Sequence, residues 1–267
     1  MSTIITHRQF PGYHKYEMEL AGRPLTLEVG KLAELANAAV MVGYGDTRVL
    51  VCATASPRPR DGIDFFPLSV DFEEKLYAVG RIPGSFNRRE GRPGEKGILT
   101  SRVIDRPIRP LFPKGLNEDV QVLANVISAD QENESDVLAL TGASAALMLS
   151  RLPFAGPVAG GRVGRVNGQF VLNPSFEQQA QSDINLIFAA SGDALTMVEG
   201  DARFVAEDVI IDALEWGRQQ IQPLVAAQLK LRELAGKEKM AFTPHDEDPV
   251  LVARVRELAL AAGLEDA

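Results

Sequence analysis

The chain contains few of the residues that build disulfides and metal centres. Its 267 residues include a single cysteine, Cys52, and three histidines, His7, His14 and His245. One cysteine cannot form an intrachain disulfide, and it excludes a zinc site made of several thiolates. The scattered histidines argue against a histidine-rich metal centre. These scarcities fit a reducing, cytoplasmic setting.

Long apolar runs are also absent from the sequence. No segment approaches the roughly 18 uncharged residues that a membrane-spanning helix needs. The N-terminal segment lacks the basic start, apolar core and small-residue cleavage site of a signal peptide. We therefore expect no membrane partner.

Charge is distributed unevenly along the chain. The net charge is −8, but residues 81–114, called here the basic segment, carry nine Lys and Arg against three Asp and Glu, a local balance of +6. The rest of the chain therefore carries −14. An acidic body does not favour general nucleic-acid binding, whereas one basic segment suits an anionic ligand held at a single place.

Strand and helix patterns alternate irregularly along the chain, with several hairpins. Alternating runs around Gly22-Arg23 and around Gly45-Asp46 indicate the first two hairpins. Further strands are predicted at about 66–73, 119–128, 157–172 and 184–198, and helices from 98, over 136–152 and over 203–235. This order predicts an α+β fold with mixed sheets in preference to a doubly wound parallel sheet.

Prolines and glycines predict where the helices end. The helix that begins near residue 98 should kink or stop at Pro107 or Pro110, and Pro223 should kink the long helix. Gly236 is a suitable C-cap for that helix. A polar linker then leads to an amphipathic helix over 250–262, which has few apolar partners in the sequence and indicates the beginning of a second, helical domain.

The basic segment opens with a loop, residues 80–97, that is too rich in glycine and proline for a regular element. Arginine forks and the backbone N–H groups of glycine-rich loops bind phosphate oxygens, and nucleic-acid bases stack on aromatic rings. The loop combines glycines with the aromatic ring of Phe86 and with four guanidinium groups, which belong to Arg81, Arg88, Arg89 and Arg92. This combination favours an anion-binding role.

Three more arginines follow on the predicted helix. Arg102, Arg106 and Arg109 stand at positions i, i+4 and i+7 and therefore share one face, with a single carboxylate, Asp105, nearby. Three guanidinium groups on one face would repel each other unless an anion or an acidic partner were present. The alternative is that the loop is solvated and the arginines pair with the acidic body of the fold.

The segment YAVGRIPGSFNRREGRPGEKGILTSRVIDRPIRPLFPKG closely resembles the N-terminal half of bacterial polynucleotide phosphorylases. The similarity continues through GIDFFPLSVDFEEK and TGASAALMLSRLPFAGPVAGGRVG and covers essentially the whole chain. It implies a first RNase PH-like domain over residues 1–235 and the beginning of an all-helical linker domain, truncated, over 236–267. In that family a second, catalytic RNase PH-like copy and two RNA-binding modules follow, and three chains surround a central channel.

The resemblance also implies what this part of the chain does. The family degrades mRNA from the 3′ end with phosphate as co-substrate, releases nucleoside diphosphates and needs Mg²⁺. Its Phe-Phe-Arg-Arg loop faces the channel and grips single-stranded RNA. Here the second aromatic is Asn87, which removes a stacking platform worth about 1–3 kcal/mol per base. The RNA contacts predicted for this chain are Phe86, Arg88, Arg89, Arg92, Arg102, Arg106 and Arg109.

No catalytic residue is predicted in this chain. Counting back from Gly142-Ala143-Ser144 places Glu134, Ser135 and Asp136 where the catalytic copy holds phosphate, and two carboxylates would repel a phosphate. The same comparison, counted back from Ala190-Ser191, places Glu177 and Asp183 of this chain near the positions of the family's metal ligands. Carboxylates suit Mg²⁺, but exposed acidic side chains are the simpler interpretation, so Mg²⁺ and phosphate are expected in the catalytic copy instead.

Two other functions stay open at this point. The chain could serve as a structural half-ring whose arginines pair with the catalytic copy. A small-molecule phosphate enzyme that uses Glu177 and Asp183 as a metal pair is a third hypothesis.

Overall fold

In the computed structural model, which describes residues 2–7, 9–59, 62–63, 65–84, 86–242 and 248–264, the chain forms two β-sheets with helices packed between and around them. This arrangement confirms the predicted α+β fold with mixed sheets. Within those residues, no helix is long and apolar enough to cross a membrane.

The first sheet has seven strands in the order β1-β2-β3-β4-β5-β7-β6. All neighbouring strands are antiparallel except β6 and β7, which are parallel. The strands are β1 (Thr3–His7), β2 (Phe10–Leu20), β3 (Arg23–Val29), β4 (Ala38–Tyr44), β5 (Thr47–Pro59), β6 (Leu68–Glu74) and β7 (Glu118–Ser128). Ala21 and Gly22 join β2 to β3 with positive φ angles of 48° and 77°, the backbone that a two-residue hairpin turn requires.

The second sheet has four antiparallel strands in the order β11-β10-β8-β9. They are β8 (Ala159–Val166), β9 (Gln169–Leu172), β10 (Ile184–Ser191) and β11 (Ala194–Ala202). Asn167 and Gly168 join β8 to β9, and Gly192 and Asp193 join β10 to β11, so these strands form two hairpins.

A buried helix, α2 (Asp136–Leu149), lies between the sheets and packs on β4 and β5 on one side and on β8 on the other. Gly142 allows its close approach, because a Cβ there would lie 2.7 Å from a methyl of Val51 and 2.8 Å from a methyl of Val42. The hydroxyl of Ser144 accepts the Val158 N–H at 2.9 Å, so small polar residues also tie α2 to the second sheet.

The remaining helices surround this core. They are α1 (Glu95–Ile108), α3 (Phe176–Gln181), α4 (Glu207–Gln220), α5 (Gln222–Ala235) and α6 (Pro249–Ala261). α1 packs on β6 and ends one residue after Pro107, as predicted. The predicted kink at Pro223 is a break, since Ile221 separates α4 from α5 and the proline lies in the first turn of α5. Gly236 occupies the C-cap position with an extended backbone.

The chain stays in contact with this unit after α5. The Lys237 N–H donates to Leu149 O at 2.9 Å, and the Met240 N–H donates to Arg151 O at 2.7 Å. The Lys239 ammonium donates to three carbonyls at the end of α2. These contacts extend past residue 235, and the domain boundary at that position stays a prediction. His245 lies outside the described residues.

The single tryptophan and the single cysteine of the chain are both half-buried in the fold. Trp216, half-buried on α4, packs against Phe170 of β9 with 5.8 Å between the ring centroids. Cys52 lies on the half-buried face of β5 instead of in the fully buried core, and burial raises the pKa of its thiol. A raised pKa leaves little thiolate at neutral pH, so Cys52 is a poor nucleophile.

Candidate functional site

The basic segment lies along the edge of the seven-stranded sheet, where β6 is the last strand. A 3-10 helix, Leu76–Val79, precedes it and ends at Gly80, whose φ of 72° is the left-handed backbone that glycine tolerates. Residues 80–94 follow and include the residues for which the resemblance predicts RNA contact; this segment is here called the arginine loop. Its described residues form no helix or strand, as predicted, but residues 95–97, which were predicted to belong to the loop, already lie in α1.

The arginine loop exposes an aromatic ring next to several guanidinium groups. Phe86 is 100% exposed, so its ring is open to a stacking partner. Arg88 follows with a φ of 51°, a conformation that is uncommon for residues with a side chain. The other loop arginines are also exposed at the surface, Arg81, Arg89 and Arg92. The loop therefore places a ring and cations on one short exposed segment, an arrangement suited to single-stranded nucleic acid.

Arg109 is engaged within the chain. Its guanidinium donates to both carboxylate oxygens of Asp105, at 2.7 and 3.0 Å, and to the carbonyls of Phe66 and Leu68, at 3.2 and 3.1 Å. It also lies 5.9 Å from the centroid of the Phe66 ring. These bonds attach the end of α1 to the beginning of β6, and they occupy donors that a phosphate would need.

The other two helix arginines differ from each other. Arg106 pairs with Glu199 of β11 and so links α1 to the second sheet. Arg102 is exposed. The repulsion expected from three guanidinium groups on one face is therefore relieved inside the chain by Asp105 and Glu199, as the alternative interpretation proposed for the helix. RNA contact by these three arginines stays a prediction.

A lysine joins three elements beside the arginine loop. Lys96 of α1 lies 3.0 Å from the Glu74 carboxylate of β6 and 3.2 Å from the Glu134 carboxylate before α2. Burial opposes the charge of Lys96, but Glu134 and Glu74 outweigh it and raise the pKa of the ammonium. This network was not predicted, because its members are far apart in sequence and no periodic pattern connects them.

The beginning of α2 is occupied by the chain's own groups. The Asp136 carboxylate accepts the Val137 N–H at 2.7 Å and forms an ion pair with the Arg162 guanidinium. Both side chains are only 7% exposed. An incoming phosphate would meet the carboxylates of Asp136 and Glu134, and the guanidinium of Arg162 is already paired. These residues do not fit a phosphate site, and the absence of a catalytic phosphate site from this chain stays a prediction.

The two acidic residues considered as metal ligands have different surroundings. The single Nε–H of Arg165 is shared between the two carboxylate oxygens of Asp183, at 3.0 and 3.1 Å, and Nη2 of Arg165 donates to the same carboxylate. This guanidinium lowers the pKa of Asp183. Glu177 lies exposed in the first turn of α3. In the part of the chain that the structure describes, no three His, Cys, Asp or Glu residues are grouped so that they could hold a metal ion. A carboxylate committed to an arginine does not fit a Mg²⁺ site.

Two consecutive segments of the chain match the two domain models of one protein family. The 3′ exoribonuclease family, domain 1, matches residues 21–153, and domain 2 of the same family matches residues 156–220. The division falls between α2 and β8, so the first match covers most of the seven-stranded sheet and the second contains the four-stranded sheet. The rice protein Rrp46 has the same fold, with a TM-score of 0.63, 15% identity, and coverage of 79% of this chain and 95% of that one.

Closer sequence relatives are polyribonucleotide nucleotidyltransferases. The one from Desulfovibrio desulfuricans is 69% identical over 250 residues, which cover 93% of this chain and 34% of that protein. The one from Geobacillus kaustophilus is 52% identical over 246 residues, 92% of this chain and 34% of that protein. The chain thus spans about a third of the length of these relatives. The resemblance to polynucleotide phosphorylases is confirmed, and the chain belongs to the 3′ exoribonuclease family with an RNase PH-like fold.

Proposed function

We propose that this chain is the RNA-guiding part of a phosphate-dependent 3′-to-5′ exoribonuclease that releases nucleoside diphosphates from mRNA and runs in reverse as an RNA polymerase. The similarity to polyribonucleotide nucleotidyltransferases over more than nine-tenths of the chain supports this assignment. Because the chain spans a third of those relatives, the activity itself is attributed to the longer protein.

The observation that carries the proposal is the exposed arginine loop. Phe86 stacks on a base, and Arg88, Arg89 and Arg92 contact phosphates along the strand. Arg102 extends this path along α1. Arg106 and Arg109, which have partners inside the chain, have a smaller part in it.

In this proposal, phosphate-dependent cleavage of RNA takes place in a second RNase PH-like copy outside this chain. Mg²⁺ and the phosphate co-substrate bind there, since the carboxylates at Asp136 and Asp183 are paired with arginines here. The full-length protein is a cytoplasmic homotrimer around a channel that admits single-stranded RNA. A phosphate enzyme based on Glu177 and Asp183 is not supported by this pairing.

Salt-dependent RNA binding tests the role of the arginine loop. A protein that neutralises phosphates releases counterions, so the logarithm of its affinity falls linearly with the logarithm of salt concentration. Replacing Arg88→Ala and Arg89→Ala together should weaken oligo(A) and oligo(U) alike and reduce the slope by roughly one to two units. Arg254→Ala with Arg256→Ala on α6 is the matched control, because it removes the same charge from an exposed helix. A slope equal to that of the wild type would place the loop off the RNA path.

A structural half-ring is the second candidate function. The pairs Arg109–Asp105 and Arg106–Glu199 favour it, because they show arginines of the basic segment in structural use. A purely structural role predicts that the 267-residue chain binds RNA no better than a control protein at low salt. Binding that weakens in the Arg88→Ala/Arg89→Ala variant separates the two functions.

A further inference from the structure

Both ends of the arginine loop are attached to one residue, Leu76, in the 3-10 helix that precedes it. The Arg81 N–H donates to Leu76 O at 3.0 Å and fixes the first end. The Leu76 N–H donates to the Glu90 carboxylate, also at 3.0 Å, and fixes the far end. Residues 81–90 therefore form a closed loop that carries Phe86, Arg88 and Arg89.

The point of attachment is itself fixed to the sheet. The Lys75 N–H, one residue before Leu76, donates to Val126 O of β7 at 3.3 Å. The Ala129 N–H, just after β7, donates to Ala78 O at 3.2 Å. The loop is thus held through Leu76 to a strand inside the seven-stranded sheet, although those of its residues that the structure describes form no helix or strand.

Glu90 is unfavourable for RNA binding if only its charge is considered. It is one of three acidic residues in the basic segment and adjoins Arg89 in the sequence. A carboxylate at this place lowers the positive potential that attracts a phosphate backbone. A favourable effect of Glu90 on RNA binding therefore requires its hydrogen bond to Leu76.

We infer that Glu90 is a positioning residue for RNA binding, a role that rests on the proposed function of the arginine loop. Its carboxylate accepts the Leu76 N–H and holds the far end of the loop, so that the Phe86 ring and the arginines beside it are ordered before RNA arrives. Ordering a loop in advance increases affinity because less conformational freedom is lost on binding. Glu90 itself does not contact RNA.

Two substitutions separate the hydrogen bond from the charge. Glu90→Gln removes the charge and keeps an oxygen acceptor for the Leu76 N–H, whereas Glu90→Ala removes both. If charge alone mattered, both variants would bind oligo(A) more tightly than the wild type, and equally. The positioning role predicts that Glu90→Gln binds at least as tightly as the wild type and that Glu90→Ala binds roughly three- to tenfold more weakly than Glu90→Gln.

A control and a second readout complete the test. Glu95→Ala removes an exposed carboxylate from the same segment without touching the loop attachment, and it should bind like Glu90→Gln. Hydrogen exchange at the Leu76 amide should accelerate in Glu90→Ala and stay near wild type in Glu90→Gln. The salt slope of Glu90→Ala should equal that of the wild type, because no phosphate contact is lost.

The outcomes distinguish this inference from the proposed function. Two results would overturn the positioning role: equal RNA affinities for Glu90→Ala and Glu90→Gln, or unchanged hydrogen exchange at the Leu76 amide in Glu90→Ala. RNA binding by the wild-type chain would still uphold RNA guidance in either case. If the wild-type chain binds RNA no better than a control protein, RNA guidance fails, and the positioning role fails with it.

Discussion

The Asp136 carboxylate and the Arg162 guanidinium form a buried ion pair between the first turn of α2 and strand β8. Removing one member of a buried pair leaves the other charge without a partner and costs about 3–5 kcal/mol. Asp136→Ala and Arg162→Met should each lower the free energy of unfolding by about this amount. The double variant should cost less than the sum of the two, because it leaves no lone charge. Urea unfolding of all four proteins measures this coupling, and strict additivity would contradict it.

Arg109 should stabilise the fold in a way that a lysine cannot replace. Its guanidinium group donates hydrogen bonds to the Asp105 carboxylate and to two backbone carbonyls at once, which the single ammonium of a lysine cannot do. We expect Arg109→Ala and Arg109→Lys each to lower the free energy of unfolding by about 1–2 kcal/mol. Glu199→Ala, which breaks the exposed pair with Arg106, should cost less than about 1 kcal/mol. Full stability of Arg109→Lys in urea unfolding would refute the role of the fork.

Asp130 should make stability depend on pH in the acid range. Burial raises the pKa of its carboxyl, but hydrogen bonds from the backbone N–H groups of Glu132 and Asn133 and from the Asn133 side chain outweigh burial and lower the pKa to about 2. The folded state therefore favours the carboxylate. Its stabilisation is complete above the unfolded pKa of about 3.9 and is lost as pH falls from there towards 2. Asp130→Asn should be less stable than the wild type at pH 6, and the difference should shrink at pH 3. A constant difference would show that Asp130 does not titrate in this way.

A side chain at position 142 should destabilise the fold. A Cβ at this position of α2 would lie 2.7–2.8 Å from methyl groups of Val42 and Val51 in the sheet. Gly142→Ala gains helix propensity but forces the helix and sheet apart, so we expect a net loss of about 1–3 kcal/mol. Val51→Ala should make room for the added methyl and restore part of that loss. Thermal unfolding of the single and double variants measures the effect, and a more stable Gly142→Ala protein would contradict it.

The sequence predicted those parts of the fold that depend on neighbouring residues. The β2–β3 hairpin follows from local turn chemistry at Gly22, and the break in the long helix follows from Pro223. α3 was missed because six residues are too few for a periodic pattern, although the capping box of Ser175 and Gln178 was available as a signal. The exposed aromatic and the arginines of the loop were found by type and spacing.

The electrostatic partners could not be predicted in the same way. Glu199 neutralises Arg106 from a strand more than 90 residues away, and Glu134 reaches Lys96 from the segment before α2. Such pairs depend on how the sheets pack, which no local pattern encodes. Asp105, four residues from Arg109, was the one partner visible in the sequence.

The central claim is that this chain guides RNA and leaves the chemistry to another domain. Its most direct test is to incubate the 267-residue chain with a short oligo(A), phosphate and Mg²⁺, and to measure oligo(A) binding and nucleoside diphosphate release together. We predict binding without release. Phosphate-dependent release that is lost in Glu177→Ala with Asp183→Ala would contradict the claim, because it would place an active site in this chain.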